Sequence, residues 1–141
     1  MIAYTCVWVA GTVFHKMRLL GRAFFGGLIA MVIDLWMDPV LTSPEFMNWV
    51  WAKGDIIRVL GIPQSNFVGW FLLIFVFAIL WEYLIKWEKL WGRAKTTLVF
   101  FAILLVSDII VFAVQVPWSF LLRSMLQLAG MEHTLLIPPG W

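Results

Sequence analysis

The chain has 141 residues, of which 63% are hydrophobic and 13% charged, whereas a soluble domain carries about 25% charged and about 45–50% apolar residues. At a mean hydropathy of +0.95 there are too few charges to cover a water-facing surface, which excludes a soluble globular enzyme and a disordered tail. Ten Lys and Arg against eight Asp and Glu leave a net charge of +2, far below the basic stripe of a nucleic-acid binder. The single cysteine, Cys6, makes no intrachain disulfide, so no redox compartment can be read from it. Ten Trp and twelve Phe suit a membrane interface or an apolar pocket. The expected class is all-α: one polytopic integral membrane helical bundle over 1–141, with about four transmembrane helices plus interfacial helices.

A helix needs about 20 predominantly apolar residues to span the hydrocarbon core. The first candidate span covers about 1–20, provided that Lys16 and Arg18 snorkel to the interface. Its positive charge follows the apolar run instead of preceding it, unlike a cleaved secretory signal. The second covers about 23–40 and contains Asp34 and Asp38. The third, about 67–85, is the cleanest and carries one charge, Glu82. The fourth, about 97–116, is interrupted by Asp108.

Lys16, Arg18 and Arg22 lie in the first connection, and Lys86, Lys89, Arg93 and Lys95 in the third. The second connection holds only Lys53 and Arg58, offset by Glu45 and Asp55, and the tail has Arg123. The positive-inside rule then puts both basic connections in the cytoplasm and both termini on the other side. Between the second and third spans, Ser43-Pro44-Glu45 resembles a helix start and Gly61 with Pro63 a stop. The segment 44–60 therefore reads as interfacial or re-entrant, with Trp49 and Trp51 at headgroup depth. In the tail, Ser119, Arg123 and Gln127 recur every four residues. That pattern fits an interfacial amphipathic helix over 118–129, or the fourth span continuing past a kink at Pro117.

Ionisable residues inside a bilayer are costly, so each is a functional candidate. Asp34 and Asp38 stand at i and i+4 on one helix face. Counting from the basic ends at about 1.5 Å per residue, Asp34 and Asp108 reach a similar depth of roughly 18–20 Å. Asn66 opens the third span at the level of Asp38, with Trp70 one turn deeper on the same face. Three carboxyls, an amide and an indole are thus expected to meet. Desolvation and like charge both disfavour ionisation of clustered carboxylates, so one member can donate a proton while a neighbour accepts one. In a lipid-accessible pocket the natural substrate is a hydrophobe. The reaction suited to such groups is protonation of an alkene and capture of the cation by water, with aromatic faces stabilising the cation.

Simpler readings stand beside these. Asp38 precedes Pro39, where helices commonly end, which would leave it at the interface. Glu82 stands four residues before Lys86 and is expected to form an ion pair with it. Asp108 has Ser107 or a neighbouring backbone as structural partners, and Asp34 too can pair structurally. Gly26-Gly27 permits close helix approach. His15 and His133 fall on opposite sides of the membrane, so no metal site is expected, and no cofactor motif is present. Met31, Met37 and Met47 read as core filler.

The runs DLWMDPV (34–40), WVW (49–51) and GIPQSNFVGW (61–70) together resemble the membrane-embedded carotenoid biosynthesis proteins that include the γ-carotene and bisanhydrobacterioruberin hydratases. The matching positions are Asp34, Asp38, Pro39, Trp49, Trp51, Gly61, Pro63, Asn66, Phe67, Gly69 and Trp70, with Ile62 in place of the usual Val. The likeness spans about 23–83. Members of that family are usually longer, so this chain would be a short one. The resemblance implies hydration of the terminal isoprenoid double bond of an acyclic carotenoid. Asp34 and Asp38 would form the catalytic acid–base pair. Asn66, Trp70, Trp49, Trp51 and Asp108 would contact the substrate, a hydrophobic polyene or isoprenoid. The expected location is a prokaryotic cytoplasmic or intracytoplasmic membrane. The alternative is a non-catalytic small subunit that packs against other membrane subunits and binds carotenoid or lipid.

Overall fold

A computed structural model of the chain describes residues 2–46 and 58–130. The elements in order are α1 (Ile2–Val13), α2 (Leu19–Leu41), β1 (Arg58–Val59), β2 (Ile62–Pro63) and α3 (Gln64–Leu128). Among the described residues the architecture is all-α apart from one small hairpin.

α1 has twelve residues, short of the roughly 20 that a span requires. The chain turns through His15, with the Met17 amide donating to the Phe14 carbonyl at 2.8 Å. α2 then runs back along α1. Phe14 stacks on Phe25 at 4.0 Å between ring centroids, and Ala10 and the Cys6 carbonyl face Gly26. α2 begins at Leu19 and continues through Pro39 to Leu41, so the proline does not end the helix before Asp38. Pro39 sits in the last turn, where its missing N–H removes one hydrogen bond near a terminus and leaves the interior intact. Thr42 closes that turn, its amide and hydroxyl both donating to the Asp38 carbonyl at 2.9 and 2.7 Å.

The expected helix stop at Gly61 and Pro63 is a β-hairpin instead. Arg58 pairs with Pro63 and Val59 with Ile62. Leu60 and Gly61 take φ of 53° and 81°, the two left-handed positions of a type I′ turn. Arg58 Nη1 donates to the Gly61 carbonyl at 3.0 Å. The hairpin delivers the chain directly into α3 at Gln64. Ser43–Phe46 forms a turn, the Phe46 amide bonding the Ser43 carbonyl at 3.1 Å. The rest of the expected interfacial stretch up to residue 57, with Trp49 and Trp51, lies outside the described residues.

α3 has 65 residues and if straight would measure about 98 Å, several times the hydrocarbon thickness. It is folded in two at Gly92, whose φ of 74° and ψ of 165° are non-helical. The limbs 64–91 and 93–128 lie against each other. Trp81 and Phe77 meet Phe100 edge-on at 6.0 and 6.3 Å, and Leu84 packs with Ile103. Lys86, Lys89, Arg93 and Lys95 therefore occupy helix ends around a one-residue break, where a loop was expected between 85 and 97. Helix propensity favours this, since Lys and Arg extend helices well and their long stems keep the charges in water. The second limb runs through Pro117 to Leu128 without leaving helical φ/ψ. The tail stretch up to Leu128 is therefore helix continuous with the residues before Pro117.

α2 and the first limb are antiparallel, pinned at intervals along their length. Gly27 packs on Phe71 and Gly26 near Ile74. At one end Arg22 Nη2 meets Glu82 Oε1 at 2.6 Å. Glu82 thus pairs across helices and not with Lys86, because the close approach at Gly27 brings Arg22 within reach. Leu19–Leu41 and Gln64–Leu128 are long and apolar enough to cross a membrane. Their outward faces carry Trp36, Leu98, Phe101 and Phe112, all exposed, as suits contact with hydrocarbon rather than water.

Candidate active site

At the opposite end of α2 from Arg22, the residues Ala30, Ile33, Asp34, Met37, Asp38 and Leu41 recur at helical spacing and form one stripe. With Ile2 of α1 and Trp70 of α3 they line a cleft of about 80 Å³. Both acids are only 5% exposed. Burial of two carboxyls among apolar side chains requires partners, and Asn66 supplies them. Its Nδ2 donates to Asp34 Oδ2 at 2.5 Å and to Asp38 Oδ2 at 2.7 Å. A primary amide has two N–H donors, and here each serves a different carboxyl. The two carboxyls stand one turn apart on the same face of α2.

Three elements place these groups. α2 sets Asp34 and Asp38 on one face. The hairpin and Pro63 fix where α3 starts, which puts Asn66 in its first turn. Trp70 follows one turn later and walls the same cleft. A carboxyl pair is suited to general acid–base chemistry, one member donating a proton into the cleft and the other accepting one. The indole presents a π face to any cation formed there. A water molecule occupies about 30 Å³ of liquid volume, so the half-open cleft takes a few waters or the tip of a chain, and the body of a longer molecule would lie outside it.

Asp34, Asp38, Asn66 and Trp70 come together, as spacing and depth suggest. Asp108 does not join them. It is exposed, while its neighbour Ser107 is fully buried between helices. Equal depth fixes the position along an axis but not around it, and adjacent helical residues point about 100° apart. Trp49 and Trp51 lie outside the described residues. The apolar lining from Ile2, Ile33 and Leu41 was not singled out in the sequence, and Met37, read there as core filler, lines the cleft instead. Its i, i+3, i+4, i+7 recurrence around the two acids is the signal that identifies the α2 part, whereas Ile2 enters only through the packing of α1.

The fold and this site define an all-α protein of apolar helices holding paired carboxyls in an apolar cleft. The family model described as carotenoid biosynthesis protein matches residues 1–131, and the chain belongs to that family. The match runs from α1 to the end of the second limb, well beyond the 23–83 in which the motif blocks lie. No curated protein and no solved structure matches the chain.

Proposed function

We propose that this protein is a membrane-embedded hydratase of carotenoid biosynthesis, adding water to the terminal double bond of an acyclic polyene. The observation that carries the reading is a single amide bridging two buried carboxyls at the wall of an apolar cleft. The protonated carboxyl of the Asp34–Asp38 pair gives its proton to the less substituted alkene carbon. The electron pair of the double bond forms the new C–H bond and leaves a tertiary cation beside Trp70. Water attacks the cation, and the ionised carboxyl takes the proton that the water loses. The product is a tertiary alcohol, one proton has moved from one carboxyl to the other, and no oxidant or reductant is consumed. General acid–base catalysis of this kind contributes about 10²–10⁴-fold.

We place the basic end, from Lys16 to Arg22 and Lys86 to Lys95, in the cytoplasm and the acid pair in the outer half of the membrane. This gives about four passes, with α1 the short one. Co-expression in a host that makes an acyclic carotene should yield a carotenoid heavier by one water, and Asp34→Asn should abolish it. Absence of that product from well-expressed wild-type protein overturns the reading. A second reading, a subunit packed against other membrane chains, is favoured by one observation. Asp108 is exposed on an otherwise apolar helix face, where lipid contact is costly. Stable co-purification of another membrane chain, lost on Asp108→Leu, supports it.

A further inference from the structure

Gln115 is the single amide in the apolar run VFAVQV of the second limb, half-buried and distant in sequence from the site. Its Nε2 donates to the Ser65 carbonyl across the limbs. That carbonyl belongs to the peptide unit whose nitrogen is the backbone nitrogen of Asn66. Gln115 therefore grips the peptide that carries the bridging amide. The approach depends on Gly69. A Cβ at that position would stand 2.5 Å from Gln115 Nε2 and 3.4 Å from its Cδ. The colliding atom is the tip of a flexible side chain, so a methyl group there displaces the amide and leaves the backbone in place.

We propose that Gln115 is a positioning residue, acting through the Ser65–Asn66 peptide to hold the Asn66 amide across Asp34 and Asp38, with Gly69 giving it room. The kinetic part of this inference rests on the hydratase reading, while the geometric part does not. A hydrogen bond at the first turn of a helix restrains the one place where neighbouring turns do so least. Inside a membrane an amide without a partner is costly, so Gln115 keeps this contact. The second limb, which contributes no residue to the cleft lining, thereby sets the orientation of the amide that bridges two residues of that lining.

The chain contains two asparagines, Asn48 and Asn66, so asparagine-selective ¹⁵N labelling of the micelle-embedded protein gives two side-chain amide signals. The Asn66 signal is assigned by its loss in Asn66→Ser. Gln115→Leu and Gly69→Ala should each move the Asn66 amide protons toward the free-asparagine position and speed their exchange with water by about tenfold. Each should lower kcat about tenfold with KM within about twofold, as misplacement of a catalytic group does. The double variant should be no worse than either single one, and Gln127→Leu on the same limb should match wild type. If Gln115→Leu fails to fold, Gly69→Ala carries the test with Gln115 intact. Unchanged Asn66 signals in the folded variants overturn the inference. Shifted signals in a protein without hydratase activity sustain the positioning role and overturn the hydratase reading.

Discussion

Asn66 serves two acids at once, and its removal leaves both without that donor. Asn66→Leu should therefore lower stability by about 1–3 kcal/mol, the cost of a buried polar group left unsatisfied, read as a lower unfolding midpoint in detergent. Asp34→Asn and Asp38→Asn keep size and hydrogen-bonding capacity but cannot release a proton. On the hydratase reading, each should insert normally and lose product formation by about 10²–10⁴-fold. Asp108→Asn is the contrast: its side chain is exposed and outside the cleft lining, so the rate of product formation should stay at the wild-type level. At this scale the sequence was legible wherever helical spacing acts within one face, as for Asp34 with Asp38 and Asn66 with Trp70. It was not legible for Asp108, whose direction depends on which face of the second limb packs inward.

At the scale of elements, three glycines separate contact from conformation. A Cβ on Gly26 meets its neighbours at 3.7–3.8 Å, an ordinary distance, whereas on Gly27 it would come within 2.7 Å of the Phe71 carbonyl and 2.8 Å of its ring. Backbone cannot yield as a side-chain tip can, so Gly27→Ala must push α2 off the first limb. It should destabilise by about 1–3 kcal/mol, typical of overpacking, while Gly26→Ala should be nearly neutral; thermal unfolding of the two variants decides. Gly92 has nothing near its missing Cβ but a φ of 74°. Gly92→Ala should cost about 1–3 kcal/mol from backbone strain alone, with the Asp34–Asn66–Asp38 contacts unaffected. The pair Gly26-Gly27 was legible as a close-approach site. Gly92 was not read as the turning point, because a single residue between two strong helical patterns leaves no loop composition to see.

At the scale of the whole molecule, α2 is held to α3 at both ends, by Arg22 with Glu82 and by the two acids with Asn66. The side chains of the ion pair are 27% and 33% exposed, which places the pair between a solvated contact and a buried one. Breaking one partner should cost about 1–2 kcal/mol, between the values for exposed and buried pairs. Arg22→Met with Glu82→Leu should recover most of it, since two apolar groups replace two charges. A double-mutant cycle on unfolding midpoints measures the coupling. Loss of the pin should also lower the proposed hydratase activity, because it fixes the register that sets Asn66 over α2.

Composition determined that too few charges exist to coat this chain in water, and the length of its apolar runs that it is built of apolar helices. Helical period alone determined that Asp34 and Asp38 share a face, and the motif blocks pointed to the family that the match over 1–131 shows. Tertiary structure decided the rest: the reversal at Gly92, the pairing of Glu82 with Arg22, the turning away of Asp108, and the reach of Gln115 to the Ser65 carbonyl. Periodicity is a property of one helix and fixes which residues are neighbours along it. Rotation of one helix against another is set by side chains packing across the interface, and no single segment contains that information.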